Sequence, residues 1–388
     1  MTVRSRLHTR AYSPPPWLRR YDAAVHGDLA LVGAAGWAPD NTAWTNYGTA
    51  YIFSRASGEW VLQQQLLPKS PILGAFFGGT VGLSATTALV GAYGTTNLPG
   101  QVFVFTLGQN GNFTHLQTLT PNGQVAGFCD YFAYAMAFDG RTLVVGALSE
   151  KTDDNAKGAT YVFELDTSTR LWTERARMDA ATDFCKEFGG AVAVDGDVIA
   201  VTGGARWSAS CEGVYVFRRT GGVWSTAPIK IAAGGSGITP GVAVQGGRAA
   251  TIVAGDQIRG FLDVYTSING GPWTLDVTLD PKAAPGFADL DYWKDCAEVG
   301  YRCSHFGEAF AFSAGVLATT ASGSDAIFMW HRAANGTWGA PTLFNEPSNA
   351  RVALDLACES AVVPSIWTPW EVNGVKAAGN VGLIRYAL

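Results

Sequence analysis

Few residues in this sequence are placed to carry out acid–base chemistry. Glu187 and His305 each directly precede a Phe-Gly dipeptide, and Glu308 directly follows the second of these. A carboxylate or an imidazole held in a cleft can act as a general acid or base. The sequence, however, contains no G-x-S-x-G elbow, no H-E-x-x-H pair and no P-loop. We therefore assign no catalytic residue and favour a non-catalytic function, with a polysaccharide-acting lyase or hydrolase as the alternative.

The segment 287–305 is better suited to binding. It combines four aromatic residues, four acidic residues and two cysteines. Tyrosine and tryptophan provide large contact areas at low conformational cost, so this segment is a candidate site for a ligand or a partner protein. The alternative is an ordered insertion that packs over the edge of its own sheet. The candidate binding residues are Asp289, Asp291, Tyr292, Trp293, Tyr301 and His305.

A second candidate surface lies earlier in the chain, in residues 35–47. It carries Trp37 and Trp44 together with Asp40 and Asn41. A tryptophan ring offers a large apolar face, and neighbouring amide and carboxylate groups can bind sugar hydroxyls. Carbohydrate binding by a lectin is therefore a second functional hypothesis. The alternative for these tryptophans is that they pack on a neighbouring sheet.

The six cysteines allow two disulfides but no evident metal site. The predicted pairs are Cys185 with Cys211 and Cys296 with Cys303. Disulfides would imply an oxidising compartment, whereas reduced thiols would fit an intracellular protein equally well. Zinc would require four converging ligands, and the sequence has no C-x-x-C motif or histidine pair to supply them. We expect no metal and no cofactor.

These candidate residues lie in the loops of an internal repeat. Its clearest copy covers residues 188–224 and contains an alternating strand, an Asp-Gly turn, an apolar strand, a long loop, a strand ending in an aromatic residue, and a Gly-Gly turn before Trp224. Such a unit is a four-stranded meander. Comparable copies, some eroded, begin at Ala24, Phe77, Phe132, Gly241, Phe306 and Val352. Seven copies correspond to about 55 residues each.

Four-stranded meanders repeated in this way predict an all-β fold, a seven-bladed β-propeller with antiparallel blades that forms one domain over residues 1–388. The last copy lacks a fourth strand, because only three strands fit before Leu388. We therefore predict that the N-terminal segment, Thr2 to Tyr12, supplies that strand and closes the last blade.

The repeat resembles the FG-GAP repeat, the unit of integrin α-chain propellers. The resemblance rests on Phe-Gly at the first strand, Val-Gly-Ala at the second, and Gly-x-(Val/Ala)-Tyr-(Val/Ile)-Phe at the third, and it covers most of the chain. It implies adhesion or assembly through protein contacts, with glycine and alanine allowing the backbones to converge and the aromatic residues filling the space between blades. No copy has the Asp-x-Asp-x-Asp-Gly calcium loop of many such blades, so calcium-dependent adhesion is not carried over.

In such blades the loops between strands two and three, and the connections between blades, emerge at the same end. Here these loops are long and differ from copy to copy, and we call the surface they form the long-loop face. Variable loops on a rigid scaffold commonly bind partners, so we predict a non-catalytic binding, adhesion or assembly protein that uses this face. The partner is expected to be a protein or a glycan.

Composition excludes several other classes. The formal net charge is −5 and no strongly basic run is present, so a nucleic-acid partner is not expected. No stretch of 18 or more apolar residues occurs, and the N-terminal segment lacks the apolar core of a secretory signal. The location in the cell is left open, with an extracellular or surface-associated one favoured.

Overall fold

The structure is a computed structural model that describes residues 4–8, 22–37, 46–56, 59–94, 98–122, 131–150, 157–181, 187–204, 213–233, 241–246, 249–256, 261–286, 306–313, 315–321, 326–345, 356–357, 360–372 and 375–385. Within these residues the regular elements are strands, apart from one 3₁₀ helix at Pro281–Ala283. This follows from a sequence in which β-branched and aromatic residues alternate between glycine-containing turns.

The first half of the chain forms regular antiparallel meanders. Strand β1 (Arg4–His8) pairs elsewhere, as described below. The first meander contains β2 (Ala23–His26), β3 (Leu29–Ala34), β4 (Thr49–Ala56) and β5 (Glu59–Leu66). The second contains β6 (Phe77–Leu83), β7 (Thr87–Ala92), β8 (Gln101–Leu107) and β9 (Phe113–Leu119). The third contains β10 (Phe132–Phe138), β11 (Thr142–Ala147), β12 (Ala159–Leu165) and β13 (Trp172–Met178).

The fourth sheet has five strands because its outer strand is interrupted. It contains β14 (Val192–Asp195), β15 (Val198–Gly203), β16 (Gly213–Thr220), β17 (Val223–Trp224) and β18 (Ile229–Ala233). Both β17 and β18 pair with β16, at residues 219–220 and 213–216 respectively. Pro228 lies between them and has no N–H to donate to a ladder, while the Ser225 hydroxyl bonds to the backbone of Ala227 instead. The predicted fourth strand therefore exists as two pieces.

Two further regular meanders follow. One contains β19 (Val242–Gln245), β20 (Ala249–Asp256), β21 (Phe261–Ile268) and β22 (Thr274–Leu279). The other contains β23 (Phe306–Ser313), β24 (Val316–Ala321), β25 (Ala326–His331) and β26 (Thr342–Asn345). Among the described residues five sheets are thus four-stranded meanders of consecutive strands, not the seven predicted.

The last sheet combines the two ends of the chain. It contains β27 (Leu356–Ala357), β28 (Ser360–Val372) and β29 (Val375–Arg385), and β1 pairs antiparallel with β29 from Arg4↔Ile384 to His8↔Asn380. The N-terminal segment therefore occupies the fourth position in this sheet. The hairpin of β28 and β29 is longer than the sequence indicated, because its pairing continues to Val372↔Val375.

The sheets are the four-stranded antiparallel blades of a β-propeller. By residue contacts the chain groups into two compact units. Unit 1 comprises residues 1–136, 165–174 and 350–388, and unit 2 comprises residues 137–164 and 175–349. Within unit 1, the first two blades share a core cluster in which Leu31, Ile52 and Leu66 of the first blade pack with Phe77 and Val90 of the second.

Glycines join neighbouring blades at a repeated contact that we call the blade joint. Gly48 and Gly158, which precede the third strands of their blades, form parallel bridges with Phe77 and Phe188 of the following blades. A Cβ built on Gly48 would lie 2.0 Å from the Phe77 carbonyl oxygen, and one on Gly158 would lie 2.3 Å from that of Phe188. The joint therefore requires glycine, and it fixes the spacing of the loops that emerge beside it.

Candidate functional site

Trp37 is the one predicted binding residue within the part of the chain that the structure describes. Its ring is half-buried and packs against the core of the first blade, which includes Val32 and Tyr51. The backbone N–H of Trp37 donates to the Ala34 carbonyl at 3.1 Å, and the backbone carbonyl of Trp37 accepts from the N–H of Gly48 at 3.0 Å. Trp37 thus packs on its own blade rather than on a neighbouring sheet, and its backbone holds its loop beside Gly48 of the blade joint. Its role in binding stays a prediction.

The other predicted site residues lie outside the described residues, as do all six cysteines, so both proposed disulfides stay predictions. The predicted binding residues concerned are Trp44, Asp289, Asp291, Tyr292, Trp293, Tyr301 and His305.

Sequence reasoning missed an aromatic cluster on the long-loop face of unit 1. Phe76 stacks on Tyr93, with ring centroids 4.9 Å apart and planes 12° apart. Tyr134 meets both Tyr93 and Tyr131 edge-on, at 6.1 and 6.2 Å. Phe76 and Tyr93 are buried with Ala35, whereas the two other tyrosines are half-buried. The cluster links the loops of three consecutive blades into one surface.

The residue before each Phe of the blade joint has an unusual backbone. Phe76, Tyr131 and Glu187 have φ values of 55°, 48° and 56°, in the left-handed region that side chains disfavour. Each directly precedes the first residue of the Phe-Gly or Phe-Ala dipeptide. A strained residue persists only where its surroundings determine it, and the N–H of Phe76 donates to the Asn46 carbonyl at 3.1 Å. In the sequence, a residue with this backbone can be recognised by its position directly before a Phe-Gly or Phe-Ala dipeptide.

An apolar pocket lies beside the aromatic cluster, also on the long-loop face of unit 1. Its volume is about 90 Å³. We call the strand residues Phe77, Ala92 and Phe103 its floor, and the other lining residues, from the connection between β5 and β6 and from the segment 98–101, its wall. The wall residues are Pro68, Ser70, Ile72, Ala75, Leu98, Pro99 and Gln101.

The rim of this pocket exposes large apolar side chains. Leu67, Ile72 and Leu73 are 39%, 42% and 54% exposed. They lie within seven residues of the connection from β5 to β6, which also supplies Pro68, Ser70, Ile72 and Ala75 to the pocket, and Ile72 itself lines the pocket. An apolar patch around a concave site marks a surface suited to binding.

Unit 2 contains a polar cluster at the base of the loop that follows β11. The Tyr161 hydroxyl donates to Glu150 Oε2 at 2.5 Å, and Arg177 donates to Glu150 Oε1 from Nε at 2.9 Å and from Nη2 at 2.7 Å. The third guanidinium nitrogen of Arg177, Nη1, lies 2.9 Å from Asp179 Oδ2. The Glu150 carbonyl also accepts from the N–H groups of Lys157 and Gly158. The cluster therefore anchors both ends of the loop.

The surroundings of this cluster raise the pKa values of its two donors, Tyr161 and Arg177, so both stay protonated. Burial raises the pKa of Tyr161, and the hydrogen bond to Glu150 raises it further. Burial alone would lower the pKa of Arg177, but attraction to Glu150 and the hydrogen bond to it reverse the direction, so the pKa is raised. At neutral pH the tyrosine is therefore a donor and the arginine a cation. The arrangement is that of an ion-pair network that supports a loop, with no nucleophile among its members.

We expect Glu150→Ala to destabilise the protein by about 2 kcal/mol, because Arg177 and the Tyr161 hydroxyl would lose their shared acceptor while staying half-buried or buried. Urea unfolding measures the loss. Arg175→Ala is the control, because Arg175 is 47% exposed and lies 3.7 Å from Glu164. It should cost less than about 0.5 kcal/mol. Equal losses in the two variants would contradict a supporting role for Glu150.

Two further properties of the described residues bear on function. No three His, Cys, Asp or Glu side chains in the described part of the chain come together to hold a metal ion. No helix within the described ranges has the length and apolar character needed to cross a membrane.

The blades and their joints define this chain as a β-propeller. Residues 113–163 match the FG-GAP repeat family. The match begins at β9, the outer strand of the second blade, and ends within β12. It therefore includes Phe132, which contacts Gly100 as Phe77 contacts Gly48 in the blade joint. The resemblance found in the sequence is thereby confirmed over this segment.

Two similar solved structures, with TM-scores of 0.50 and 0.52, agree with the fold. A protein from Lactobacillus plantarum is 11% identical over 83% of both chains, with a TM-score of 0.50. A candidate 6-phosphogluconolactonase from Bacteroides uniformis is 10% identical over 82% of this chain and 83% of that one, with a TM-score of 0.52. Sqt1 of Saccharomyces cerevisiae is 10% identical over 99% and 98%, with a TM-score of 0.46. No curated protein matches the chain. At these identities the likeness concerns the fold alone.

Proposed function

We propose that this protein is a non-catalytic binding protein that docks a protein partner on its long-loop face. The observation that carries the proposal is the apolar pocket with Leu67, Ile72 and Leu73 exposed around it. Leucine and isoleucine side chains left in water beside a preformed cavity gain free energy when a partner covers them. The blade joint beneath the pocket holds its floor in place.

The scaffold in this proposal is a closed ring. The strands of the described residues pair into seven sheets, and we propose that these are seven blades of one domain over residues 1–388. Pairing of β1 with β29 would close the ring between the two ends of the chain. Closure would make the loop positions rigid, and a rigid surface binds with a smaller loss of conformational entropy.

A glycan partner remains the alternative prediction. It depends on Trp44 and Trp293, whereas Trp37 is engaged in packing. The described lining is mostly apolar, and sugar recognition requires convergent hydrogen-bonding groups, which the side chains of the described lining residues supply only at Ser70 and Gln101. These features favour a protein over a sugar at this part of the face. A location outside the cell would suit either partner.

The double variant Ile72→Glu with Leu73→Glu tests the proposal. We expect it to reduce partner capture by tenfold or more, because two carboxylates would have to be desolvated at the centre of the interface. The measurement is quantitative mass spectrometry of proteins retained on the immobilised full-length chain, compared with the unsubstituted protein.

Leu171→Glu is the matched control, because Leu171 is 44% exposed but lies in the turn between β12 and β13, at the opposite end of its blade. It should leave capture unchanged. Equal retention by all three proteins would overturn the proposal. Tight binding on a glycan array that is lost in Trp44→Ala or Trp293→Ala would favour the lectin instead.

A further inference from the structure

We propose that the pocket takes one large apolar side chain from an acidic peptide segment of the partner, and that Lys69 pairs with a carboxylate beside that side chain. The inference rests on the proposed function of the long-loop face and specifies the chemistry of the partner. In this inference the apolar side chain of the partner contacts the pocket floor, and the carboxylate of the partner pairs with the exposed ammonium group of Lys69.

The size of the pocket fits one side chain. An apolar cavity of about 150 Å³ holds a single benzene molecule. At about 90 Å³ the present pocket has room for one aliphatic group or for part of one ring that remains partly open to solvent. A long acyl chain would extend far beyond it, so the dimensions favour a peptide anchor over a lipid.

The pocket is also preformed. Phe77 is fully buried and contacts Phe103 edge-on, with centroids 5.2 Å apart, and Phe77 is held by the bridge to Gly48. Pro68 and Pro99 are both wall residues, and each fixes its own backbone φ angle. A site that needs little reorganisation loses less affinity on binding.

Charge selects the partner. Lys69 lies between the wall residues Pro68 and Ser70, and it is exposed. It is the one charged residue in the two sequence segments that build the pocket, 66–77 and 92–103. The described lining residues of the pocket include no carboxylate, so within the pocket an incoming acidic group meets the Lys69 cation and no anion of the lining. A basic segment would meet the same cation unfavourably.

The experiment pans a random peptide library displayed on phage against the full-length protein. We expect the enriched peptides to share one large apolar residue with Asp or Glu within a few positions. Affinities of a synthetic consensus peptide are then measured by fluorescence anisotropy. Ala75→Phe, which places a ring at the pocket wall, should weaken binding about tenfold or more. Lys69→Glu should weaken it at least about threefold, and more at low salt.

Lys282→Glu is the matched control, because Lys282 follows a proline directly after β22, as Lys69 follows one shortly after β5, and it is also exposed. It should leave the affinity unchanged. Thermal unfolding of each variant checks that Ala75→Phe folds, and Lys69→Glu on the exposed connection provides a test that does not disturb packing.

Several outcomes would overturn the inference. These are the absence of enriched peptides, an enrichment of basic peptides, and affinities that neither Ala75→Phe nor Lys69→Glu changes. Equal losses in Lys69→Glu and Lys282→Glu would show non-specific attraction and would also overturn it. In each case partner capture that is sensitive to Ile72→Glu with Leu73→Glu would leave the proposed function standing, so the two failures are distinguishable.

Discussion

Gly48→Ala is expected to destabilise the protein by about 3 kcal/mol or more. Gly48 has a φ of +80°, which costs an L-residue about 1–2 kcal/mol. In addition, the new Cβ would lie 2.0 Å from the Phe77 carbonyl oxygen and 2.6 Å from its nitrogen. Both atoms are backbone, so relief requires the two blades to move apart, at an overpacking cost of about 1–3 kcal/mol. Urea unfolding followed by tryptophan fluorescence measures the loss.

Gly27→Ala separates the two contributions. Gly27 also has a positive φ, +58°, but nothing lies within 4 Å of a Cβ built on it. Its substitution should cost about 1 kcal/mol, from the backbone conformation alone. The difference between the two variants therefore measures the blade joint. A loss at Gly48 no larger than that at Gly27 would show that the joint can open without cost.

The blade joint explains the form of the repeat. The glycine before the third strand and the Phe-Gly at the next first strand are distant in sequence but contact one another, as Gly100 does with Phe132. Further bonds join the turns at the opposite end of the blades, where Asp139 Oδ2 accepts from the N–H of Gly196 at 3.0 Å and Asp195 Oδ2 accepts from that of Gly246 at 2.7 Å. These aspartates therefore connect blades as well as forming turns.

Strand positions were predictable because their physics is local. In the second blade, Phe77-Gly78, Val90-Gly91-Ala92 and the segment 100–105 were expected in successive strands, and they lie in or directly before β6, β7 and β8. Alternation of side chains between two faces, with glycine turns between strands, is encoded within a few residues. A repeated pattern then predicts repeated sheets, and the tertiary fold adds little that contradicts it.

Contacts between blades were not predictable, since they join residues far apart in the sequence, 29 positions at Gly48 and Phe77 and 49 at Gln64 and Phe113. Gln64 on β5 both accepts from the N–H of Phe113 at 2.7 Å and donates to its carbonyl at 2.8 Å. Gln117 on β9 makes the same pair of bonds to Trp172: it accepts from the backbone N–H of Trp172 at 2.8 Å and donates to the backbone carbonyl at 2.9 Å. In sequence these glutamines look like ordinary exposed positions of outer strands. Only the packing of one blade on the next reveals that each satisfies a neighbouring strand.

The candidate site was predictable in place but not in composition. Long variable loops indicated the face on which the apolar pocket lies, because loops that emerge from one end of each meander are fixed by topology. Attention to tryptophan then selected Trp37, which packs into its own blade, and passed over Ile72 and Leu73. Whether an apolar residue is buried or exposed in a loop depends on the neighbouring blade, and no local pattern records that.

Deletion of residues 1–8 is expected to have the second large effect, a loss of several kcal/mol in the free energy of unfolding. It removes β1 and leaves the edge of β29 from Asn380 to Ile384 without its partner strand. In the proposed ring the two ends of the chain meet in this sheet, so the loss of β1 removes the non-covalent strand pairing that closes the ring, which involves five residues of β1. Thermal unfolding by calorimetry measures it.

Deletion of residues 1–3 provides the comparison for that experiment, because it shortens the same end of the chain but spares every residue of β1. It should leave the unfolding midpoint within about 1 °C, a shift that corresponds to well under 1 kcal/mol for a chain of this size. The longer deletion should also expose a strand edge, so soluble aggregates should appear at high concentration. If both deletions unfold at the temperature of the full chain, pairing of β1 with β29 contributes nothing, and closure of the ring must come from contacts between the faces of the first and last blades.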